Sequence, residues 1–441
     1  MKDIVSKFFL IIFDYISIVV SVVLVYLFRD NLTLLEINKL EHSLIQYLNY
    51  YPLFIIPLLL FIYEGIYTNR YDFWHETFLI SKSIILSSLI VFSLLALLKT
   101  IDNYSRFILV CSFFLAIVII PISKLIVKYI LFKVGIWKKE VFVIGDRKDI
   151  KDIIINNFYL GYIETENNKK TDICIINSNN KLNIKEIAEI IDNEISNNKD
   201  VMFVPFLNHY NLSTAEIFEI FEKRYNIILL KNRLKSKMNV LIKVVFNYLL
   251  ALCLMPILLP LIVVFAFLIK IESKGPVFFK QKRIGKNCKP FYIYKFRSMY
   301  KNADKILEEL LEKNEELRKE WEQNHKLKND PRITKIGKFL RKTSLDELPQ
   351  IFNVLKGDMA FVGPRPVTKE ELNKFYKENK KFYCMVKPGI TGLWQVSGRN
   401  DISYEERVQI DKWYVINWSL WLDVIILIKT FKAIFTQKGV Y

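Results

Sequence analysis

Histidine and cysteine are scarce in this chain, and both are scattered. Four histidines in 441 residues lie far apart and resemble no zinc site. The five cysteines, Cys111, Cys174, Cys253, Cys288 and Cys384, form no CxxC pair and no spaced framework. They read as reduced thiols of a membrane or cytosolic protein. Glycine is missing where a nucleotide fold would need it. The turn after the strand-like EVFVIGD (140–146) runs Gly145-Asp146-Arg147-Lys148-Asp149, without the further glycines that let backbone approach a pyrophosphate. No small-residue cleavage site follows the first apolar run, so that run reads as a retained anchor and not a signal peptide. Outside the membrane-flanking segments there is no aromatic–basic platform, and no nucleic-acid partner is expected.

What is present points to a membrane. Hydrophobic residues make up 52% of the chain, with 33 Phe and 23 Tyr, and the mean hydropathy is positive. The length suggests two or three domains. A net charge of +18 sits on lysines that flank apolar segments, which suits an anionic membrane surface. Apolar runs cover Phe8–Phe28, Tyr51–Tyr67, Leu79–Leu98 and Phe107–Phe132, predicting four spanning helices. Asp14 lies inside the first, with an interfacial or helix-pairing role expected. Lys124 and Lys128 near the end of the fourth, with Lys133, Lys138 and Lys139 after it, form a basic flank, so the positive-inside tendency puts what comes next in the cytoplasm.

Residues Glu140–Lys235 change character. EVFVIGD, DICIINS (172–178), VMFVPF (201–206) and NIILL (226–230) read as strands, and IKEIAEIIDNEI (184–195) and STAEIFEIFEKR (213–224) as helices. That alternation predicts a small parallel sheet of Rossmann type, with Asn-rich loops near 156–180. Leu241–Ile271 is a fifth apolar run with Pro256 and Pro260 at its middle. Because each proline removes a helical hydrogen bond, the run reads as a re-entrant helix–break–helix, with Lys243 and Lys270 at one basic interface. A kinked fifth span is the rival. Residues 273–300 predict a basic hairpin carrying Lys280, Lys282, Arg283, Lys295 and Arg297, and Asn302–Lys328 a charged helix. Residues 387–401 form a glycine-punctuated loop with Arg399. The aromatic, amphipathic 403–435 suits helices in the headgroup region.

The rest is organised around DPRITKIGKFLRKTSLDELPQIFNVLKGDMAFVGPRP, Asp330–Pro366. Leu348, Ile351, Phe352 and Leu355 recur at helical spacing, and Pro349 belongs in a first turn. Asp346 then falls near the N-cap and Glu347 near the first helical position, where unpaired amides favour ionised carboxylates. Arg341 precedes the pair, and Arg365 sits in the stiff turn Gly363-Pro364-Arg365-Pro366. Paired carboxylates with converging arginines suit metal-assisted chemistry on a phosphate. Ser344-x-x-Glu347 equally fits a capping box, and spacing alone leaves both readings open.

Together, GPVFFKQKRIG, FYIYKFRSM, DPRITKIGKFLRKTSLDELPQIFNVLKGDM, VGPRP, KPGITGLWQVSGR and IDKWYVINWSLWLD resemble the bacterial polyprenyl-phosphate sugar-1-phosphate transferases, the monotopic phosphoglycosyl transferases. The segments span nearly all of Lys243–Phe435. The upstream half resembles the long form found in undecaprenyl-phosphate galactose phosphotransferases, more in architecture than in residues. Asn247 stands where relatives usually carry aspartate.

The resemblance implies an α+β membrane protein in three parts. These are a four-helix transmembrane bundle (1–135), a degenerate Rossmann-like cytoplasmic domain (136–235) and a monotopic catalytic domain (236–441), with the re-entrant helix at 241–271 broken at Pro256 and Pro260. It implies a UDP-sugar donor, galactose or glucose foremost, an undecaprenyl phosphate acceptor and UMP as product, the initiating step of O-antigen, capsule or exopolysaccharide synthesis. Asp346 would be the nucleophile and Glu347 its partner, the two holding Mg²⁺, with Arg341, Arg365, Lys295 and Arg297 on the phosphates. A homodimer in the bacterial inner membrane, its catalytic domain facing the cytoplasm, is expected. The competing reading is a catalytically silent scaffold of polysaccharide assembly.

Overall fold

The computed structural model describes residues 2–33, 43–145, 153–166, 171, 173–177, 184–197, 200–204, 215–220, 225–229, 233–313, 315, 318, 330–397 and 402–436. The chain divides into two compact units, Met1–Asn208 and His209–Tyr441.

The first unit begins with helices α1 (Lys2–Thr33), α2 (Leu44–Leu48), α3 (Pro52–Tyr63), α4 (Phe73–Leu97) and α5 (Arg106–Val134). By length and composition, α1, the Leu44–Tyr63 stretch, α4 and α5 could each cross a membrane. Local chemistry sets their ends. Asp72 caps α4 by accepting from the Trp74 N–H at 2.9 Å, and Gly135 closes α5 at φ 83°, where glycine carries no steric cost. Ile18, Val22, Phe61, Ile80, Ile84 and Ile120 share one apolar core.

Asp14 takes the helix-pairing role. It is buried on α1, accepts a hydrogen bond from the Tyr67 hydroxyl at 2.7 Å, and lies 3.0 Å from Lys124 Nζ on α5. Glu76 on α4 joins the group through Lys124 at 3.3 Å and through Lys128. Two acids and two bases neutralise one another, as a low-dielectric interior requires. Lys124 and Lys128, counted above with the basic flank, are therefore buried in this network; Lys133 and Lys138 are the exposed part of that flank.

Beyond α5 lies a four-stranded, all-parallel sheet in the order β2-β1-β3-β4. Its strands are β1 (Lys139–Gly145), β2 (Tyr162–Glu164), β3 (Ile173–Asn177) and β4 (Asp200–Val204), with α6 (Ile184–Ser196) between the last two. Every residue of β3 is buried, which suits a strand covered on both faces. β2 comes from a stretch expected to be loop, since three residues are too few to show a period. Asp146–Asp149, the candidate phosphate turn, lies outside the described residues. Arg70, between α3 and α4, ties bundle to sheet by donating to the Trp137 and Leu160 carbonyls at 2.7 and 2.9 Å.

The second unit opens with an antiparallel pair, β5 (Glu216–Ile220) and β6 (Tyr225–Leu229). Within the helix expected over 213–224, the described residues Glu216–Ile220 form a strand instead. Ile217 pairs with Ile228 and Phe218 with Ile227, and strand pairing of β-branched and aromatic residues overrides a short helical spacing.

Helix α7 (Lys237–Glu272) follows, 36 residues long. Its backbone stays helical through Pro256 and Pro260, so the break expected there is absent; proline bends a helix without necessarily ending it. Lys243 likewise departs from the expected basic interface. It is buried, with Nζ 2.5 Å from Asp423 Oδ2, 2.8 Å from the Tyr414 hydroxyl and 3.2 Å from the Val362 carbonyl. Asp423 also accepts from the Tyr414 hydroxyl and the Trp418 indole N–H, the extra bonds a buried ion pair needs. At the other end, the Glu272 carboxylate accepts from the Lys335 and Ile336 N–H groups at 2.6 and 3.0 Å.

The hairpin β7 (Phe278–Ile284) and β8 (Pro290–Phe296) forms as expected. The charged helix is seen as α8 (Ala303–Lys313), and most of 314–329 lies outside the described residues. After it come α9 (Lys335–Lys342), a 3₁₀ turn (Leu345–Gln350), α10 (Ile351–Lys356), β9 (Ala360–Val362), α11 (Lys380–Met385), β10 (Gly389–Thr391), α12 (Leu393–Ser397), α13 (Tyr404–Ile416) and α14 (Leu420–Thr436). Arg399 is outside the described residues. Cys288 and Cys384 form a disulfide with Cα atoms 5.0 Å apart, correcting the reading of five free thiols; Cys111 and Cys253 remain free thiols, and Cys174 is in no disulfide. A 96-residue separation hides such a pair from any spacing rule.

Candidate active site around Asp346 and Glu347

Two elements bring the acidic pair to strand β8. Thr334 caps α9 by accepting from the Gly337 N–H at 2.9 Å. Gly337 itself rests on β8's exit, where a Cβ would lie 2.0 Å from the Ser298 carbonyl oxygen. Asn353 sews α10 to the strand, accepting from the Tyr294 N–H at 3.0 Å and donating to the Tyr292 carbonyl at 2.7 Å. Between α9 and α10, Ser344 adopts φ 57°, ψ 17°, and the 3₁₀ turn begins at Leu345. Asp346 and Glu347 thus occupy the second and third positions of the turn, two residues further in than expected. Pro349 sits inside that turn, ahead of α10.

The capping box does not form. Ser344 makes no side-chain capping bond, and Glu347 turns away from the helix end. Its Oε1 accepts from Lys295 Nζ at 2.6 Å and lies 3.9 Å from Arg365 Nη2. Lys295 Nζ is also 4.0 Å from Asp346 Oδ2. The arginine turn is braced from β10, with the Gly363 N–H bonded to the Thr391 carbonyl and the Gly389 N–H to the Pro364 carbonyl. Arg365 remains 45% exposed in its side chain, free to meet a ligand.

These groups surround a cleft of about 260 Å³, lined by Arg283, Lys295, Arg365 and Glu347 with Ile293 and Ile390 among its apolar wall. Three cations against one acid make it an anion site. Arg283, expected only as a basic hairpin residue, is held there by Glu371 at 2.9 Å and Gln281 at 2.8 Å.

Two other candidates stand apart from this lining. Arg341 donates through Nε to Ser298 Oγ at 2.8 Å and acts on Asp346 through its charge. Arg297 donates to the Ser273 and Lys274 carbonyls at 2.6 and 3.2 Å, clamping the exit from α7. Asn353 and Arg283 are the site residues that sequence reasoning passed over. An asparagine amid the apolar positions of α10 is the one local signal for the first.

The two carboxylates are driven in opposite directions. Burial raises the Asp346 pKa, with the Glu347 charge adding to it against Lys295 and Arg341. Burial pushes Glu347 up too, but Lys295 and then Arg365 outweigh it and hold the group below the ordinary glutamate value. Environments that separate two acids in this way assign them different roles. Among the described residues no three His, Cys, Asp or Glu side chains cluster to form a metal cage. Two adjacent carboxylates instead fit an ion such as Mg²⁺, which takes its other ligands from substrate phosphates and water.

Residues 238–437 match the family described as Bacterial sugar transferase. The undecaprenyl-phosphate galactose phosphotransferase of Salmonella typhimurium is 35% identical over 85% of this chain and 84% of its own length. The UDP-galactose-lipid carrier transferase of Erwinia amylovora is 34% identical over the same shares. The exopolysaccharide production protein ExoY of Rhizobium meliloti is 47% identical over 41% of this chain and 80% of its own length.

Proposed function

The chain belongs to the bacterial sugar transferase family, and from that premise we propose that it transfers a sugar 1-phosphate from a UDP-sugar to undecaprenyl phosphate, releasing UMP and initiating a polysaccharide. The single observation that carries the site assignment is the cleft in which Lys295, Arg365 and Arg283 face Glu347 beside Asp346. Galactose is the preferred sugar, on the names of the two long relatives. Glucose is second, because a Klebsiella pneumoniae relative, 36% identical over 55% of this chain, is named for it.

Asp346 is the nucleophile. Its oxygen attacks the phosphorus that carries the sugar, the bond to UMP breaks, and a sugar phosphate is left on the carboxylate. A phosphate oxygen of undecaprenyl phosphate then attacks the same phosphorus and displaces Asp346. A carboxylate whose pKa is raised is the stronger nucleophile once ionised, and splitting the transfer lets a soluble donor and a lipid acceptor share one pocket. Glu347 stays ionised beside Lys295, and Arg365 and Arg283 meet the diphosphate oxygens. Asp346 and Glu347 would hold Mg²⁺, which when bound supplies charge neutralisation for the diphosphate.

We place the domains at 1–135, 136–235 and 236–441, with α7 dipping into one leaflet from the cytoplasmic side. Both ends of α7 are fastened within the second unit, through Lys243–Asp423 and through Glu272 on α9, whereas a straight helix would part those two residues by about 44 Å. Outward-facing Leu252, Ile257, Val263 and Phe267 supply the lipid-facing surface. Cysteines replacing Ser236 and Ser273 should react with impermeant thiol reagents only after cells are opened; labelling of Ser273→Cys in intact spheroplasts refutes the topology. A homodimer is the expected assembly, to be checked by light scattering.

The chemistry is tested with UDP-sugar and Mg²⁺ in the absence of lipid. The enzyme should release up to one UMP per site and gain a sugar phosphate at Asp346. Absence of the adduct, with intersecting initial-rate plots for the two substrates, favours direct transfer. Absence of UMP release with every UDP-sugar, lipid included, favours the silent scaffold.

A further inference from the structure

A second cavity in this unit is lined by none of the residues of the dyad cleft. It is a groove of about 540 Å³ between the first turns of α7, with Val240, Val244 and Tyr248, and the segments carrying Met359 and Met385. Its walls are mostly apolar, but Lys286 and Lys387 stand on the lining. Burial and the neighbouring Lys286 charge lower the Lys387 pKa, with Asp358 opposing them.

The segments that carry the two lysines are joined covalently. Cys288, two residues after Lys286, is bonded to Cys384, three residues before Lys387. The Lys286 charge acts on Lys387, and a bound anion would relieve that repulsion. The backbone nearby is bare. At Gly357, φ +85°, a Cβ would lie 3.5 Å from Lys387 Nζ and 3.2 Å from the Tyr248 hydroxyl. An ammonium and a phenol therefore converge where any other residue would put a side chain. Among the described residues neither group has a hydrogen-bond or ion-pair partner. Alongside, Leu241, Val245, Leu249 and Leu252 leave α7's apolar surface exposed, on a helix apolar enough to enter a membrane.

We propose that this groove binds one anionic glycerophospholipid, its acyl chain along Val240, Val244 and Met359 and its phosphate against Lys286, Lys387 and Tyr248. An apolar slot with a few convergent polar groups at one end is the form such a ligand requires. The occupant is a resident lipid and not the acceptor, because the acceptor's phosphate must reach Asp346 and Glu347, which do not line the groove. That choice rests on the dyad reading; the groove's preference for an anionic amphiphile does not.

The test uses the full chain in mild detergent and native mass spectrometry with dioleoyl phosphatidylglycerol, dioleoyl phosphatidylcholine and soluble glycerol 3-phosphate. Wild type should retain one phosphatidylglycerol per chain at least tenfold better than phosphatidylcholine, and should not retain glycerol phosphate. The Lys286→Ala/Lys387→Ala variant should lose the preference for the anionic lipid, and Val244→Trp should lose both lipids. Equal retention of the two lipids by wild type overturns the proposal, and so does unchanged retention in both variants. Retention of glycerol phosphate alone reduces the site to a headgroup contact and refutes the groove. Displacement of phosphatidylglycerol by equimolar undecaprenyl phosphate gives the groove to the acceptor, which also refutes it. The wild-type series needs no variant, so a misfolded mutant leaves the test intact. A wild type that releases UMP but retains no phosphatidylglycerol separates failure of this proposal from failure of the dyad reading.

Discussion

Replacing Lys295 with methionine keeps the length of the side chain and removes its charge from between the two carboxylates. The ammonium lies 2.6 Å from Glu347 Oε1 and 4.0 Å from Asp346 Oδ2. At the longer distance alone, the Coulomb energy runs from about 1 kcal/mol in water to about 4 kcal/mol at the effective dielectric of a protein surface. Lys295 lowers the pKa of both carboxyls, so both acids should titrate upward without it, Glu347 the more because it lies closer. The sign follows from the roles. Lys295 favours the ionised form of each acid, so without it a larger fraction of the pair carries a proton at pH 7. The acidic limb of the kcat/KM profile for UMP release should move to higher pH, with activity partly recovered on the alkaline side. If Lys295 only held substrate phosphate, activity would fall without displacement of that limb. An unmoved limb, or kcat/KM within threefold of wild type at pH 6, refutes the assignment of Lys295 to the dyad.

Asp346→Asn should drop below a tenth of wild-type turnover while melting within a few degrees of it, because the side chain makes no cap whose loss would cost the usual ~1 kcal/mol. Arg365→Lys should not rescue Arg365→Ala in steady-state kinetics, since a guanidinium fork meets two phosphate oxygens where an ammonium offers one point charge. Asp411 is buried on α13 with the Tyr376 hydroxyl donating to it at 2.7 Å, and burial pushes its pKa up to about 7. The folded state therefore binds the proton more tightly than the unfolded one, and this group's contribution to stability is present below about pH 4 and lost as pH rises towards 7, by about 4 kcal/mol in total. Asp411→Asn should flatten that slope between about pH 4 and 7 in thermal melts, and an equal slope in both proteins contradicts it.

What could be read from the sequence alone follows the range of the interactions involved. The long helices of the first unit were legible because a continuous apolar run needs no partner to be recognised, as Phe8–Phe28 and Phe107–Phe132 illustrate. β1, β3 and β4 were legible for the same reason, whereas Tyr162–Glu164 acquires strand character only by pairing with β1. EIFEI shows the failure in reverse: its spacing fits a helix locally, and pairing with Tyr225–Leu229 decides otherwise. Lys243 looked like a surface anchor since its partner Asp423 is 180 residues away.

The acidic pair marks the boundary between the two kinds of information. Ser344-x-x-Glu347 satisfies a helix cap in its own four residues, and no local rule prefers the competing use of Glu347. The decision comes from Lys295, 52 residues upstream, on a hairpin whose register opposite Phe279 holds it beside the turn. A carboxylate that could have satisfied a backbone amide at its own helix end is bonded instead to a distant, costly side chain. Ordering a lysine costs as much as about 1.5 to 2 kcal/mol of rotamer freedom, and a partly exposed ion pair returns at most about 1 kcal/mol. Stability alone would favour the cap. The arrangement gains its advantage only when a charged ligand enters the cleft and meets Lys295, Arg365 and Arg283 already in place, which is why the contact identifies a site and the motif by itself could not.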